Sequence, residues 1–134
     1  MRNWLLPTFA GVFLLGTIPV SAHHSFNSFW YMDKTATIEG VVTEIKLVNP
    51  HPEMKVEVIE ANGQKTIWNI TGRATGSGIL KAGWTPETLP VGTKIKVEGS
   101  PSRKEGAKAL AAGKITKADG SIVWFGGGGG IPQG

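Results

Sequence analysis

The chain has 134 residues, no cysteine, and 14 Lys and Arg against 10 Asp and Glu. This length supports one small domain once a leader is set aside, and without cysteine neither a disulfide staple nor a lipidated cysteine is available. Basic and acidic side chains alternate along the chain as on a solvated surface, which argues against nucleic acid as a partner.

Residues 1–22 read as a signal peptide. Arg2 supplies the positive start, Trp4 to Val20 carries no charge, and Val20-Ser21-Ala22 forms a small-residue cleavage site. A retained anchor would need about 20 mostly apolar residues, and this shorter run is interrupted by Pro7, Gly11, Gly16 and Pro19. The expectation is a free protein, periplasmic or secreted, with no stable membrane anchor after processing and with His23-His24 at its new amino terminus.

Residues 23–36 form an arm carrying Phe26, Phe29, Trp30 and Tyr31, with neither strand alternation nor a helical stripe. The arm is expected to lie over the domain, which spans 37–125. Ile38, Gly40 and Val42 share one parity, whereas Ile45 and Leu47 share the other. A strand with one buried face does this only with an extra residue, here near Thr43-Glu44, so the first strand should be bulged and bent.

Asn49-Pro50-His51-Pro52 then breaks the strand at a rigid corner. Met54, Val56 and Val58 alternate with Lys55 and Glu57, and Asn62-Gly63 joins that run to Thr66-Ile67-Trp68-Asn69-Ile70, a hairpin signal. Arg73 to Ala82 is expected to hold one short helix, capped by Gly83. Lys94 to Glu98 is a clean alternating strand and Ala109 to Lys117 a weaker one. Asp119-Gly120 turns the chain into a final strand from Ser121 to Phe125. Residues 126–134 open with five consecutive glycines, costly to order, so a disordered tail is expected.

The fold class implied is all-β: a small OB-like Greek-key barrel of five to six antiparallel strands with one short helix. Its expected core is Ile38, Val42, Val56, Val58, Trp68, Ile70, Leu80, Ile95 and Val97.

His23-His24-Ser25-Phe26, Ile38-Glu39-Gly40-Val41-Val42 leading to Asn49-Pro50-His51, Trp68, Gly83-Trp84-Thr85 and Ala118-Asp119-Gly120 together resemble the DUF6152 family of small secreted bacterial proteins. The resemblance covers nearly the whole mature chain and implies no particular activity. Members of that family commonly carry an aromatic just before and just after the Asn-Pro-His corner. Leu47 and Met54 stand in those places here.

All three histidines fall in these motifs: His23, His24 and His51. A free terminal amine and the ring of the same first histidine close a chelate, and a further imidazole adds a third nitrogen, a set that suits Cu(II) in a tetragonal field. His23 and His51 are the expected copper ligands, with His24 or Glu53 as a further donor. The arm, up to about 50 Å if extended, is long enough to return His23 to His51. The plain alternative is that His51 stiffens the corner while His23-His24 is only a polar terminus.

Other motifs carry less. Gly72 to Gly78 lacks the Gly-Lys-Ser/Thr ending of a phosphate loop, and Ser77 lacks both the elbow glycine and a downstream histidine needed for a hydrolase. Asn69-Ile70-Thr71 matches a glycosylation sequon inside a strand. Trp68 and Trp84 suit base stacking but suit the core better. The expectation is a non-enzymatic binding protein, with a copper ion as its cofactor. The alternative is a metal-independent module that contacts a cell-envelope protein or a small ligand.

Overall fold

The computed structural model describes residues 26–126. The leader, His23, His24 and residues 127–134 lie outside the described residues. Six strands form one sheet: β1 (Ala36–Lys46), β2 (Glu53–Ile59), β3 (Lys65–Gly72), β4 (Lys94–Pro101), β5 (Ala109–Lys117) and β6 (Ile122–Trp124). Two short α-helices accompany them, α1 (Phe26–Phe29) and α2 (Gly76–Lys81), with a 3₁₀ turn at Pro86–Thr88. The expected single helix was α2, and the arm contributes the other.

β1 pairs antiparallel with both β2 and β4, and β3 continues from β2. β5 follows β4, and β6 adds to β5 at the margin. Five strands close into a barrel because β3 also pairs with β5, from Asn69↔Ala109 to Gly72↔Ala112. That seam is parallel. The all-antiparallel expectation is therefore corrected to a mixed, OB-like barrel, since the chain runs from β3 through α2 and β4 before β5 lies along β3 in the same direction.

The bend of β1 has the origin its parity implies. Val42 faces Val56 while Glu44 faces Lys55, so Thr43 is the extra residue and the ladder shifts there. Before the bulge Ile38 and Val42 point inward, and after it Ile45 and Leu47 pack against the same core. Gly40 marks a close approach of β1 to β2. A Cβ there would run into the carbonyl oxygen of Glu57.

The hairpin turn closes at Asn62-Gly63, where Glu60 N–H donates to Gln64 O, Gly63 N–H donates to Glu60 O, and Gly63 takes φ +80°. α2 ends as a Schellman motif: Gly83 N–H donates to Leu80 O and Trp84 N–H to Ile79 O, with Gly83 at φ +93°. Trp84 packs into the core beside Phe125, ring centroids 5.2 Å apart, and its indole N–H donates to Trp124 O.

Two core expectations need correction. Leu80 is 51% exposed and Ile79 1%, because the Schellman end turns Ile79 toward the barrel and leaves its neighbour about 100° round the helix in solvent. Trp68 is half-buried. β3 meets β5 only from Asn69 onward, so Trp68 lies where the barrel has opened.

Candidate metal-ligand corner

The segment Val48 to Pro52 is gripped by the turn that leaves β3. Asn49 Oδ1 accepts from Ser77 N–H at 3.1 Å, and Pro52 O accepts from Gly72 N–H at 2.8 Å. Gly76 is required there, because a Cβ would collide with the Val48 carbonyl. Thr75 caps α2 by accepting from Gly78 N–H at 3.0 Å. Arg73 N–H donates to Phe125 O, and Gly126, at φ +92°, sits against Ala74 where no side chain fits. The start of the expected tail is thus part of this packing.

His51 is half-buried at the centre of that arrangement. Its Nδ1 lies 2.9 Å from Ala74 O. A carbonyl only accepts, so Nδ1 donates, and in the neutral ring Nε2 then carries the lone pair. The Phe26 ring meets the imidazole edge-on at 5.0 Å and 81°. The first described residue of the arm therefore touches the one described histidine.

The arm is fastened further along. Tyr31 N–H donates to Pro101 O at 2.9 Å, and Trp30 bridges to Ser102. Arg103 N–H donates to Phe29 O at 2.8 Å, and Arg103 Nε donates to Asn27 O at 2.6 Å and Trp30 O at 3.1 Å. Its guanidinium also lies 4.5 Å from the Tyr31 ring centroid.

Of the expected ligands, His23 and His24 lie outside the described residues. Glu53 is exposed at the start of β2, opposite Lys46 of β1 and Thr71 of β3. It lines an outer concavity of about 160 Å³ with Glu44, Lys46 and Lys55. Glu44 is paired there with two lysines: hydrogen bonds from Lys46 and then Lys55, at 2.7 and 2.6 Å, lower its carboxyl pKa to about 2. Among the described residues, no three His, Asp or Glu side chains converge as a metal cluster.

Sequence reasoning placed Phe26 in the arm without its contact to His51, and gave Arg73 and Arg103 no role at the corner. Arg73 donates from Nη2 to Ser100 Oγ at 2.8 Å, with its Nε buried and unpartnered. Neither arginine had a local signal, because each acts on a segment remote in sequence. A second concavity, about 470 Å³, is lined by residues of β1, β2, β4 and β5 and by Ala118, none from the corner.

Residues 12–111 match the family described as a family of unknown function, DUF6152. The chain belongs to DUF6152. Among curated proteins no sequence matches. Several solved structures are similar, two of them as follows. The mitochondrial single-stranded DNA binding protein of S. cerevisiae is 16% identical with a TM-score of 0.49, over 63% of this chain and 93% of that one. The dimeric N-terminal domain of PriB from Thermoanaerobacter tencongensis is 22% identical with a TM-score of 0.43, over 64% of this chain and 97% of that one.

These likenesses concern the fold. They correct one expectation all the same. The exclusion of nucleic acid drawn from the interspersed acids is withdrawn, because a protein named as a single-stranded DNA binding protein stands among the structural neighbours.

Proposed function

We propose that this DUF6152 protein is exported and binds Cu(II) at its processed amino terminus, without catalysing a reaction. The ligands are the amine and ring of His23 together with Nε2 of His51, and His24 is a further donor. The observation that carries the reading is the Nδ1–H of His51 donating to Ala74 O. Metal-binding histidines characteristically spend one ring nitrogen on a carbonyl, which fixes the tautomer and aims the other nitrogen's lone pair.

Chain geometry supports the same reading. Phe26 packs on His51, and His23 stands three residues before Phe26. Three residues reach about 10 Å when extended, so the amine and ring of His23 come within range of His51 without moving the barrel.

The test is copper electron paramagnetic resonance of protein that begins at His23, compared with its His51→Ala variant. The expected result is one fewer nitrogen coupled to copper in the variant, with the barrel's melting unchanged. An identical spectrum would remove His51 from the site and favour the metal-independent interaction module.

A further inference from the structure

We propose that the concavity of about 470 Å³ on the barrel's outer face binds a free alkyl carboxylate, its head group held by Lys94 and Lys96 and its chain lying across β1 toward Ile59. The site arises where β1 changes partners. β1 pairs with β4 from Ala36 to Val41 and with β2 from Val41 onward. The part of β1 before Val41 and the part of β2 after Glu57 are therefore not paired with each other. Ile59, at the end of β2, is left 68% exposed on the far wall, and Ile95, at 4%, closes the concavity from below.

Charge decides what fits. Lys94 and Lys96 are successive outward residues of β4, about 7 Å apart along the strand, and both are exposed. The ion pairs among the described residues use Lys46, Lys55, Lys65, Lys108 and Lys114. Lys94, Lys96 and Lys117, all lining this concavity, take part in none of them. Of its two carboxylates, Glu57 is bound to Lys65 at 3.0 Å, and Glu39 stands opposite Lys96 in the ladder without forming an ion pair. Three lysines thus face one unpaired carboxylate, and an anion improves the balance. The smaller concavity at the β1 bulge differs, because Glu44 already holds both Lys46 and Lys55.

The apolar surface lies to one side of that charge. Lys94 is opposite Val41, and Val41 is opposite Glu57. A chain that starts between the two lysines crosses β1 and arrives beside Ile59 after two strand spacings, about 10 Å. This is the outline of an amphiphile with one anionic end, and the volume falls within the roughly 300–1,000 Å³ of small-molecule sites. A short anion would leave Val41 and Ile59 wet, and a neutral chain would leave the lysines unmatched. No residue of the His51 corner lines the concavity, so the site is independent of copper.

The experiment titrates decanoate, below its micelle concentration and without copper, into the protein beginning at His23, followed by amide NMR. Acetate and decyltrimethylammonium are titrated in parallel. Decanoate is expected to shift the Val41, Ile59, Lys96 and Thr116 amides saturably, more weakly in high salt, while acetate and the cation give no saturable shift. Lys94→Gln combined with Lys96→Gln should weaken decanoate about tenfold, because two exposed ion pairs are lost. Ile59→Gln should weaken it by a similar factor, about tenfold, through lost apolar contact. All three side chains are exposed, and unchanged amide positions in the rest of the barrel report that each variant is folded. Lys81→Gln combined with Lys104→Gln removes the same charge outside the concavity and should leave affinity unchanged.

Shifts that do not saturate, or that fall outside the concavity, overturn the proposal. Wild-type affinity in the lysine variant or in Ile59→Gln also overturns it, as does equal binding of decyltrimethylammonium. Vesicles of phosphatidylglycerol that bind through the same lysines, with no saturable site for decanoate, would assign this face to a membrane surface and overturn it as well.

Discussion

The ring of Phe26 stands edge-on to the imidazole of His51, 5.0 Å away and at 81°, joining the arm to a corner 25 residues further along the chain. That contact sets Phe26, the last residue of the first histidine motif, against the second. It also sets the requirement that the chain begin close to Phe26. Intact mass of exported protein should correspond to a start at His23, as the Val20-Ser21-Ala22 site implies. A start two or more residues beyond His23 would remove the chelating terminus.

The two tryptophans should separate cleanly in stability. Trp84 is fully enclosed beside Phe125 with its indole N–H bonded to Trp124 O, so Trp84→Ala should cost about 3–5 kcal/mol in denaturant unfolding. Trp68 is half-buried, with its N–H on Glu60 at 3.3 Å and Lys108 5.3 Å from its ring. Trp68→Ala should cost about 1–2 kcal/mol. Equal losses would contradict the opening of the barrel at β3.

Alanine replacing glycine should have opposite consequences at two positions. In a helix the exchange ordinarily stabilises by about 1 kcal/mol, but at Gly76 the new Cβ meets the Val48 carbonyl. Gly76→Ala should destabilise by about 1–3 kcal/mol as an overpacked contact. At Gly113, in β5, a Cβ meets nothing within 4 Å. Gly113→Ala should be neutral or stabilise by about 0.5–1 kcal/mol. A stabilised Gly76→Ala would mean that α2 does not rest on the corner.

Glu44 gives a pH signature. Its pKa is lowered from 4.5 to about 2 by hydrogen bonds from Lys46 first and Lys55 second. A depressed folded-state pKa contributes stability above the unfolded value and loses it as pH falls through the folded value. The contribution is therefore present above about pH 4.5 and gone below about pH 2. Glu44→Gln should flatten the stability profile in that window, and salt should raise the Glu44 midpoint seen by carboxyl NMR. A midpoint near 4.5 at low salt would show that the two lysines do not hold the carboxylate.

Much of this architecture was legible because it is written locally. The parity break between Val42 and Ile45 located the bulge, Asn62-Gly63 the hairpin, Gly83 the end of α2, and Asp119-Gly120 the last turn, where Asp119 Oδ1 accepts from Ser121 N–H at 2.8 Å. Each is a constraint between residues a few positions apart. The parallel seam of β3 with β5 is not, since nothing in Asn69 to Gly72 names Ala109 to Ala112 as its partner.

The site divides in the same way. His51 stood out as the histidine between two prolines, whereas its acceptor, Ala74 O, is a backbone atom that no side chain advertises. α1 was illegible because its amphipathic pattern is too short to register and its cap lies at Arg103, 74 residues beyond Phe29. Leu80, expected in the core, falls outside it because helix phase over six residues is set by the cap and not by periodicity. Arg103 read as one more solvated charge.

The most direct test of the central claim is Cu(II) affinity of the protein beginning at His23 against the same protein with one residue added before it. The addition keeps every side chain and the whole barrel, and removes only the amine from the chelate ring with the His23 imidazole. The account predicts tighter binding by the chain that begins at His23, together with one more nitrogen in its copper spectrum. Equal affinity and identical spectra for the two chains would contradict it.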